Sequence, residues 1–238
     1  MQDTLTSFKL GEHTLTLRVG DDAFKPTTVT QKIADSLHIP VGGKVLDLGC
    51  GTGPLGIYAA LNGAAQVHSV DVMPQACEYA QENVDRAGLS DRITVMCGDL
   101  FEPVADQQYD LIINDVSGIA ERVARISPWY PNPIPSGGVD GTDVVTRMLS
   151  QSPDHLKPGG VLHFAVSSLS AGKKIVAQAK AVYGSGLELL KSVPIPFCPE
   201  LKDAATEMKV LRQMGTIDFE ERKSRYLWTL ELYQAKLT

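Results

Sequence analysis

A run of glycines with carboxylates spaced on either side is the part of this chain best suited to chemistry. Val45-Leu46-Asp47-Leu48-Gly49-Cys50-Gly51-Thr52-Gly53 passes from an apolar stretch into glycines, which let a backbone approach a ligand with no Cβ in the way. Asp71 closes the next apolar stretch, about 20 residues on, where a carboxylate can accept both hydroxyls of a ribose. Cys97-Gly98-Asp99-Leu100 ends a third stretch and puts a carboxylate within reach of an adenine amino group. Tyr109-Asp110-Leu111-Ile112-Ile113 runs into a polar cluster, Asn114-Asp115-Val116-Ser117, at a strand end where α/β sheets hold their ligands.

Strands and helices must alternate to bring these ends together. Strands are expected over Lys44–Leu48, Gln66–Val70, Ile93–Met96, Tyr109–Asn114 and Val161–Val166. Helices are expected over Pro54–Asn62, Pro74–Ala87, Thr142–His155 and Ala171–Tyr183. Proline opens the first two helices and Gly88 ends the second, as helix termini favour. The pattern implies an α/β fold with a doubly wound, mostly parallel sheet, Rossmann-like in kind. Residues 5–19 read as a small hairpin turning at Gly11-Glu12, followed by a helix over Val29–Leu37. Ser127–Gly141 is a Pro/Gly-rich loop, and Lys157-Pro158-Gly159-Gly160 a turn. Further on come a strand over Leu187–Val193, a break over Pro194–Pro199, a helix over Leu201–Met214 and a final strand over Ser224–Gln234. Both faces of that last strand are apolar, so it belongs inside the sheet and its aromatics in the core. One domain is expected, residues 1–40 extending a core of 41–238.

Gly51-Thr52-Gly53-Pro54-Leu55-Gly56 also fits the GxGxxG of dinucleotide sites, with Asp71 as the acid. Asp47 weighs against that ligand: a carboxylate just before the glycines would repel a pyrophosphate, but can orient the loop and attract a cation. Asp99 and the polar cluster at Asn114 point the same way, to S-adenosylmethionine (SAM), which carries a sulfonium and an amino group.

Composition removes other classes. Hydrophobic residues make up 43% and charged residues 21%, as in soluble globular proteins. Neither a membrane-spanning run nor a secretory signal is read in the sequence. The net charge of −6 disfavours nucleic acid as a partner, since phosphate contacts need a basic face. Arg122, Arg125 and Arg147 are interspersed with acids and read as solvated surface. Cys50, Cys77, Cys97 and Cys198 form no CxxC pair and suit thiols in a reducing cytoplasm. The histidines lack metal-ligand spacing, and no metal site is assigned.

Val41–Val166 resembles the class I SAM-dependent methyltransferases. The resemblance implies that Asp47, Gly49, Cys50, Gly51 and Gly53 cradle the methionine part of SAM, that Asp71 takes the ribose, and that Val72, Asp99 and the Leu100 amide meet the adenine. The product would be S-adenosyl-L-homocysteine. Within that class the chain is most similar to the HemK/PrmC-type branch. The similarity runs through Phe24-Lys25-Pro26-Thr27-Thr28-Val29-Thr30, the strand at Tyr109, Gly137-Gly138-Val139-Asp140-Gly141-Thr142-Asp143 and His155-Leu156-Lys157-Pro158-Gly159-Gly160. It implies Phe24, Pro26 and Thr30 beside the cofactor.

The chain departs from that branch at its tetrapeptide, Asp115-Val116-Ser117-Gly118 standing where the family has Asn-Pro-Pro-Tyr. In the family the asparagine and a proline carbonyl accept hydrogen bonds from a planar nitrogen, and the tyrosine packs on it. Asp115 can still accept, and can also attract a cation or take a proton. It is the expected catalytic residue, with Asn114, Val116 and Ser117 around the acceptor. Trp129 or Tyr130 either replaces the lost tyrosine or anchors the long loop. About 40 residues precede the first core strand where the family carries a large recognition domain, which favours a small molecule or a differently presented protein side chain. The leading reading is N-methylation of such an acceptor, a glutamine amide or an amine. The alternatives are a base amino group of RNA or DNA, or a SAM-binding scaffold without catalysis.

Overall fold

Alternation of apolar side chains along each strand decides how the chain is layered. In a computed structural model, which describes residues 4–130, 134–223 and 225–237, the elements in chain order are β1 (Thr4–Leu10), β2 (His13–Val19), α1 (Thr28–Ala34), β3 (Lys44–Leu48), α2 (Pro54–Leu61), β4 (Gln66–Asp71), α3 (Pro74–Arg86), β5 (Ile93–Cys97) and β6 (Tyr109–Asn114). There follow α4 (Glu121–Ile126), α5 (Asp143–Gln151), β7 (Leu156–Ser167), α6 (Gly172–Tyr183), β8 (Leu187–Pro196), α7 (Pro199–Asp203), α8 (Ala205–Gln213), β9 (Glu220–Arg222) and β10 (Arg225–Lys236). The main sheet runs β5-β4-β3-β6-β7-β10-β8, with β9 paired to β10. Neighbours from β5 to β7 are parallel, while β10 lies antiparallel between β7 and β8.

Val45, Val67, Leu111 and Ile113 pack on one face with α1, α2 and the β1–β2 hairpin. Leu46, Leu48, Ile112 and Phe164 pack on the other with α5 and α6. The hairpin explains why α2 is apolar nearly all round: sheet and hairpin cover it from both sides, and most of it is buried. Between β3 and β6 the chain changes direction of winding, and the strands' C-terminal ends there leave a crevice.

Several elements differ from the sequence reading. Helix α4 was not expected. The helix after Thr142 gives way to a 3-10 turn over Ser152–His155, where Pro153 supplies no N–H for the ladder. The expected turn at Lys157–Gly160 lies inside β7, whose register against β6 jumps from Tyr109↔Leu156 to Leu111↔Val161. Strand β8 continues through Pro194 and Pro196 because it is an edge, paired only with β10. The helix expected over Leu201–Met214 is two, α7 and α8, parted at Ala204. The final strand is internal, as its two apolar faces require. Ser224 and Pro131, read as part of that strand and of the long loop, lie outside the described residues.

Candidate active site

The glycine loop leaves β3 with Gly49, Gly51 and Gly53 all at positive φ (77°, 53° and 87°). A Cβ on Gly49 would come within 2.9 Å of the Val116 backbone, so only glycine lets this loop touch the segment after β6. The carboxylate of Asp71 fixes the loop from the next strand: Gly51 N–H donates to Oδ2 at 2.9 Å and Met73 N–H to Oδ1 at 2.9 Å. Burial raises the Asp71 pKa, and these amides oppose the rise. Asp47 is fully buried below the loop, its Oδ2 accepting from Gly56 N–H at 2.7 Å while Oδ1 has no partner. Burial pushes Asp47 up to about 7, the Gly56 amide opposing and the Asp71 charge adding.

A cavity of about 610 Å³ opens beside the loop. One end is lined by Gly49, Gly51, Asp71, Val72, Asp99 and Leu100. Val72 is about half exposed there, 49%, an apolar side chain left uncovered where a flat base would cover it. Leu100 holds a left-handed φ of 49°, a conformation costing a non-glycine residue roughly 1–2 kcal/mol. Asp99 is ion-paired with Arg147 from α5.

Asp115 stands at the other end. Its N–H donates to the Leu48 carbonyl at 3.1 Å, extending the β3–β6 ladder by one residue and fixing where the side chain leaves the sheet. Burial, then the Asp47 charge, push its carboxyl up to about 8, with the Thr30 hydroxyl bonded to it and working the other way. Thr30 is anchored in turn: it completes the capping box of α1, accepting from the Thr27 N–H. The Ser117 hydroxyl donates to the Pro135 carbonyl at 2.8 Å, and Tyr130 meets Phe24 edge to face at 5.4 Å. Trp129 lies against Trp228, ring centroids 6.3 Å apart. Loop 137–143 braces this segment from behind, with the Gly137 and Glu121 amides bonded across it and Asp140 held by Thr142 and Lys174.

Of the residues singled out from sequence, Phe24, Gly49, Gly51, Asp71, Val72, Asp99, Leu100, Asp115, Val116, Ser117, Trp129 and Tyr130 line the cavity. Pro26, Thr30, Asp47, Cys50, Gly53 and Asn114 lie outside its lining. Thr30 stands beside Asp115, and Asp47 holds the start of α2 through the Gly56 amide. Cys50 turns its thiol inward, where burial pushes its pKa up. Gly53 starts α2 and packs on Ala80. Pro26 leads into the α1 cap, and Asn114 points into the core with its Oδ1 unpartnered.

Sequence reasoning missed the cavity's far wall: Ile119, Ser167, Ile195, Cys198, Trp228 and Leu230 also line it. Trp228 had been read as core alone, and it is buried, yet it borders the cavity and its indole N–H has no partner. No local signal marks these residues, because they come from distant strands. Arg122 and Arg125 are exposed, as read, and pair with Glu207 and Glu121; Arg147 pairs with Asp99 but borders the cavity.

Comparison with known proteins fits this geometry. Residues 27–115 match the methyltransferase small domain family. The ribosomal protein uL3 glutamine methyltransferase of Bradyrhizobium diazoefficiens is 41% identical over 141 residues, 57% of this chain and 43% of that protein. The release factor glutamine methyltransferase of Rhodopirellula baltica is 28% identical over 187 residues, 72% of this chain and 63% of that one. The chain thus spans less than two thirds of either relative. The 16S rRNA N2 methyltransferase of T. thermophilus, solved with AdoMet and guanosine, superposes with a TM-score of 0.65 at 15% identity, covering 99% of this chain and 51% of that one; at that identity the likeness speaks for the fold. Over residues 27–115 the chain is similar to the methyltransferase small domain family, and its fold is like that of a solved methyltransferase. The relatives it resembles carry the names of glutamine methyltransferases.

Among the described residues no helix is long and apolar enough to cross a membrane, and no His, Cys, Asp or Glu group could hold a metal.

Proposed function

We propose that this chain transfers a methyl group from SAM to a nitrogen, best supported as the side-chain amide of a glutamine in a protein, with residues 1–40 as an extension of a catalytic core. The observation that carries this reading is the opening of Asp71 and Asp115 onto one cavity on either side of the glycine loop. The residues at the cofactor end fit SAM: free lone pairs of Asp71 face ribose hydroxyls, Val72 covers the base, and Asp99 with the Leu100 amide reads its edge. The Asp71 carboxylate beside the loop leaves little room for a pyrophosphate's charge there. SAM supplies a methyl on a sulfonium for in-line displacement.

The chain's own work is alignment and exclusion of water. With a pKa near 8, Asp115 is mostly protonated at pH 7. It therefore offers an N–H a carbonyl oxygen as an asparagine would, which reconciles it with the family's asparagine. Thr30 orients it through the hydroxyl. Tyr130, edge to face with Phe24, supplies the aromatic wall that Gly118 cannot, and Val116 and Trp129 close the acceptor side. The names of the relatives support a protein of the translation machinery as the substrate, and with it action in the cytoplasm.

Radiolabelled methyl transfer from SAM into the protein, RNA and small-molecule fractions of a cell extract tests this. Label in N-methylglutamine is expected. Label in RNA, or calorimetry in which NADH binds and S-adenosylhomocysteine does not, would overturn it.

A further inference from the structure

Two thiols lie just outside the cavity, behind the strand end that carries Asp71 and Val72. Cys77, in the first turn of α3, directs its Sγ to the Asp71 carbonyl at 3.4 Å and the Met96 carbonyl at 3.6 Å. Cys97, the last residue of β5, is exposed and directs its Sγ to the Val72 carbonyl at 3.8 Å. Cys97 stands in register beside Asp71 on the neighbouring strand, and Met96, the residue before it, supplies the second carbonyl that the Cys77 thiol meets. The pair thus clasps the carbonyls of both residues whose side chains face the ribose and base end. Neither thiol lines the cavity, and the reaction proposed above uses neither.

We propose that Cys77 and Cys97 form an oxidisable dithiol, and that joining them as a disulfide weakens ligand binding at the cofactor end. Hydrogen peroxide reaches the exposed Cys97 first. Its sulfur attacks one peroxide oxygen, the O–O bond breaks, and a sulfenic acid and one water result. The Cys77 sulfur then displaces the sulfenic hydroxyl: an S–S bond forms, the S–O bond breaks, and the Cys77 proton leaves with the hydroxyl as a second water. Two thiols lose two electrons in all, and one peroxide gains them. Burial holds the Cys77 thiol up to about 12, so the second step is slow, but both thiols sit at the same two strand ends and the step is intramolecular.

The bond fixes the sulfurs at about 2.05 Å, whereas each thiol is now directed to a carbonyl, so the start of α3 or the end of β5 must move. Both thiol donors leave the Asp71 and Val72 carbonyls. The Met73 amide that holds Asp71 Oδ1 belongs to the same turn. The effect on affinity rests on the SAM reading; formation of the disulfide does not.

The test oxidises the full chain with hydrogen peroxide, maps cross-linked peptides by mass spectrometry, and measures S-adenosylhomocysteine binding by calorimetry before and after. A Cys77–Cys97 peptide is expected, with affinity falling about tenfold, the scale of one lost hydrogen bond, and recovering with dithiothreitol. Cys97→Ser should bind within about threefold of the wild type and lose all sensitivity to peroxide. Absence of that cross-link, pairing with Cys50 or Cys198 instead, or a cross-link that leaves affinity unchanged would each overturn the proposal. A reduced protein that does not bind S-adenosylhomocysteine would overturn the SAM reading and the regulatory half of this one, while the peptide map still decides the dithiol.

Discussion

The two ends of the cavity hold their carboxylates in opposite ways. At the cofactor end Asp71 is gripped by backbone amides of Gly51, Val72 and Met73. At the acceptor end Asp115 is met by one side-chain hydroxyl, from Thr30, and otherwise by apolar walls and the charge of Asp47. Amides from a glycine turn are fixed dipoles that cost nothing further to orient, so Asp71 is bound to a rigid frame. A carboxyl with one hydroxyl in an apolar pocket keeps its proton instead, and its character depends on pH. The molecule thus pairs a backbone-built cradle, suited to a ligand that never changes, with a side-chain-built pocket that substitution can retune. The replacement of the family's tetrapeptide falls on the second.

The largest effect that would sharpen this contrast is expected at Asp115. Asp115→Ala should lower turnover by about 10²–10³ and leave S-adenosylhomocysteine affinity within a few-fold, the scale for losing a positioned polar group. Asp115→Asn should keep most of the rate, because a protonated carboxyl and an amide offer the same acceptor; collapse to the alanine level would make Asp115 a base. Both are read by methyl transfer to a glutamine-bearing protein substrate.

Asp71→Ala should do the reverse, costing roughly 2–4 kcal/mol of S-adenosylhomocysteine affinity, as charge-assisted hydrogen bonds in a partly buried site are lost. Calorimetry on folded protein decides it, and unchanged affinity removes Asp71 from the site.

A smaller effect concerns stability. Unfolded, Asp47 and Asp115 ionise near pH 4; folded, they hold their protons to about 7 and about 8. Between those limits the folded state binds more protons, so stability falls as pH rises, by about 1.4 kcal/mol per pH unit for each such carboxyl. Urea unfolding of Asp115→Asn from pH 5 to pH 8 should show a shallower slope than the wild type. An unaltered slope would mean that Asp115 is ionised in the native state.

The smallest effect is expected at Trp228. Its indole N–H is already unpartnered, so Trp228→Phe forfeits no hydrogen bond and loses only ring volume, for less than about 1.5 kcal/mol. Thermal unfolding measures this; a much larger loss would reveal a partner for the N–H.

The sequence by itself determined the cradle. A glycine loop, the strand before it and the acids at the next two strand ends are contiguous signals, because parallel strands joined by single helices bring consecutive C-terminal ends side by side. The hairpin and the internal final strand were legible for a similar reason, since period-two patterning records which faces are covered. Only the tertiary structure decided the rest. Whether Asp47 meets a ligand depends on α2 lying over it, as the Gly56 amide does. Thr30 reads as a neighbour of the cofactor, and the α1 cap sets it beside Asp115. The apolar wall of Trp228, Ile195 and Leu230 draws on β8 and β10, which sequence distance separates from Asp115 and sheet order alone brings near. Local patterning encodes which side of an element is apolar; which remote element covers it, and which polar atom is left inside, is settled by packing.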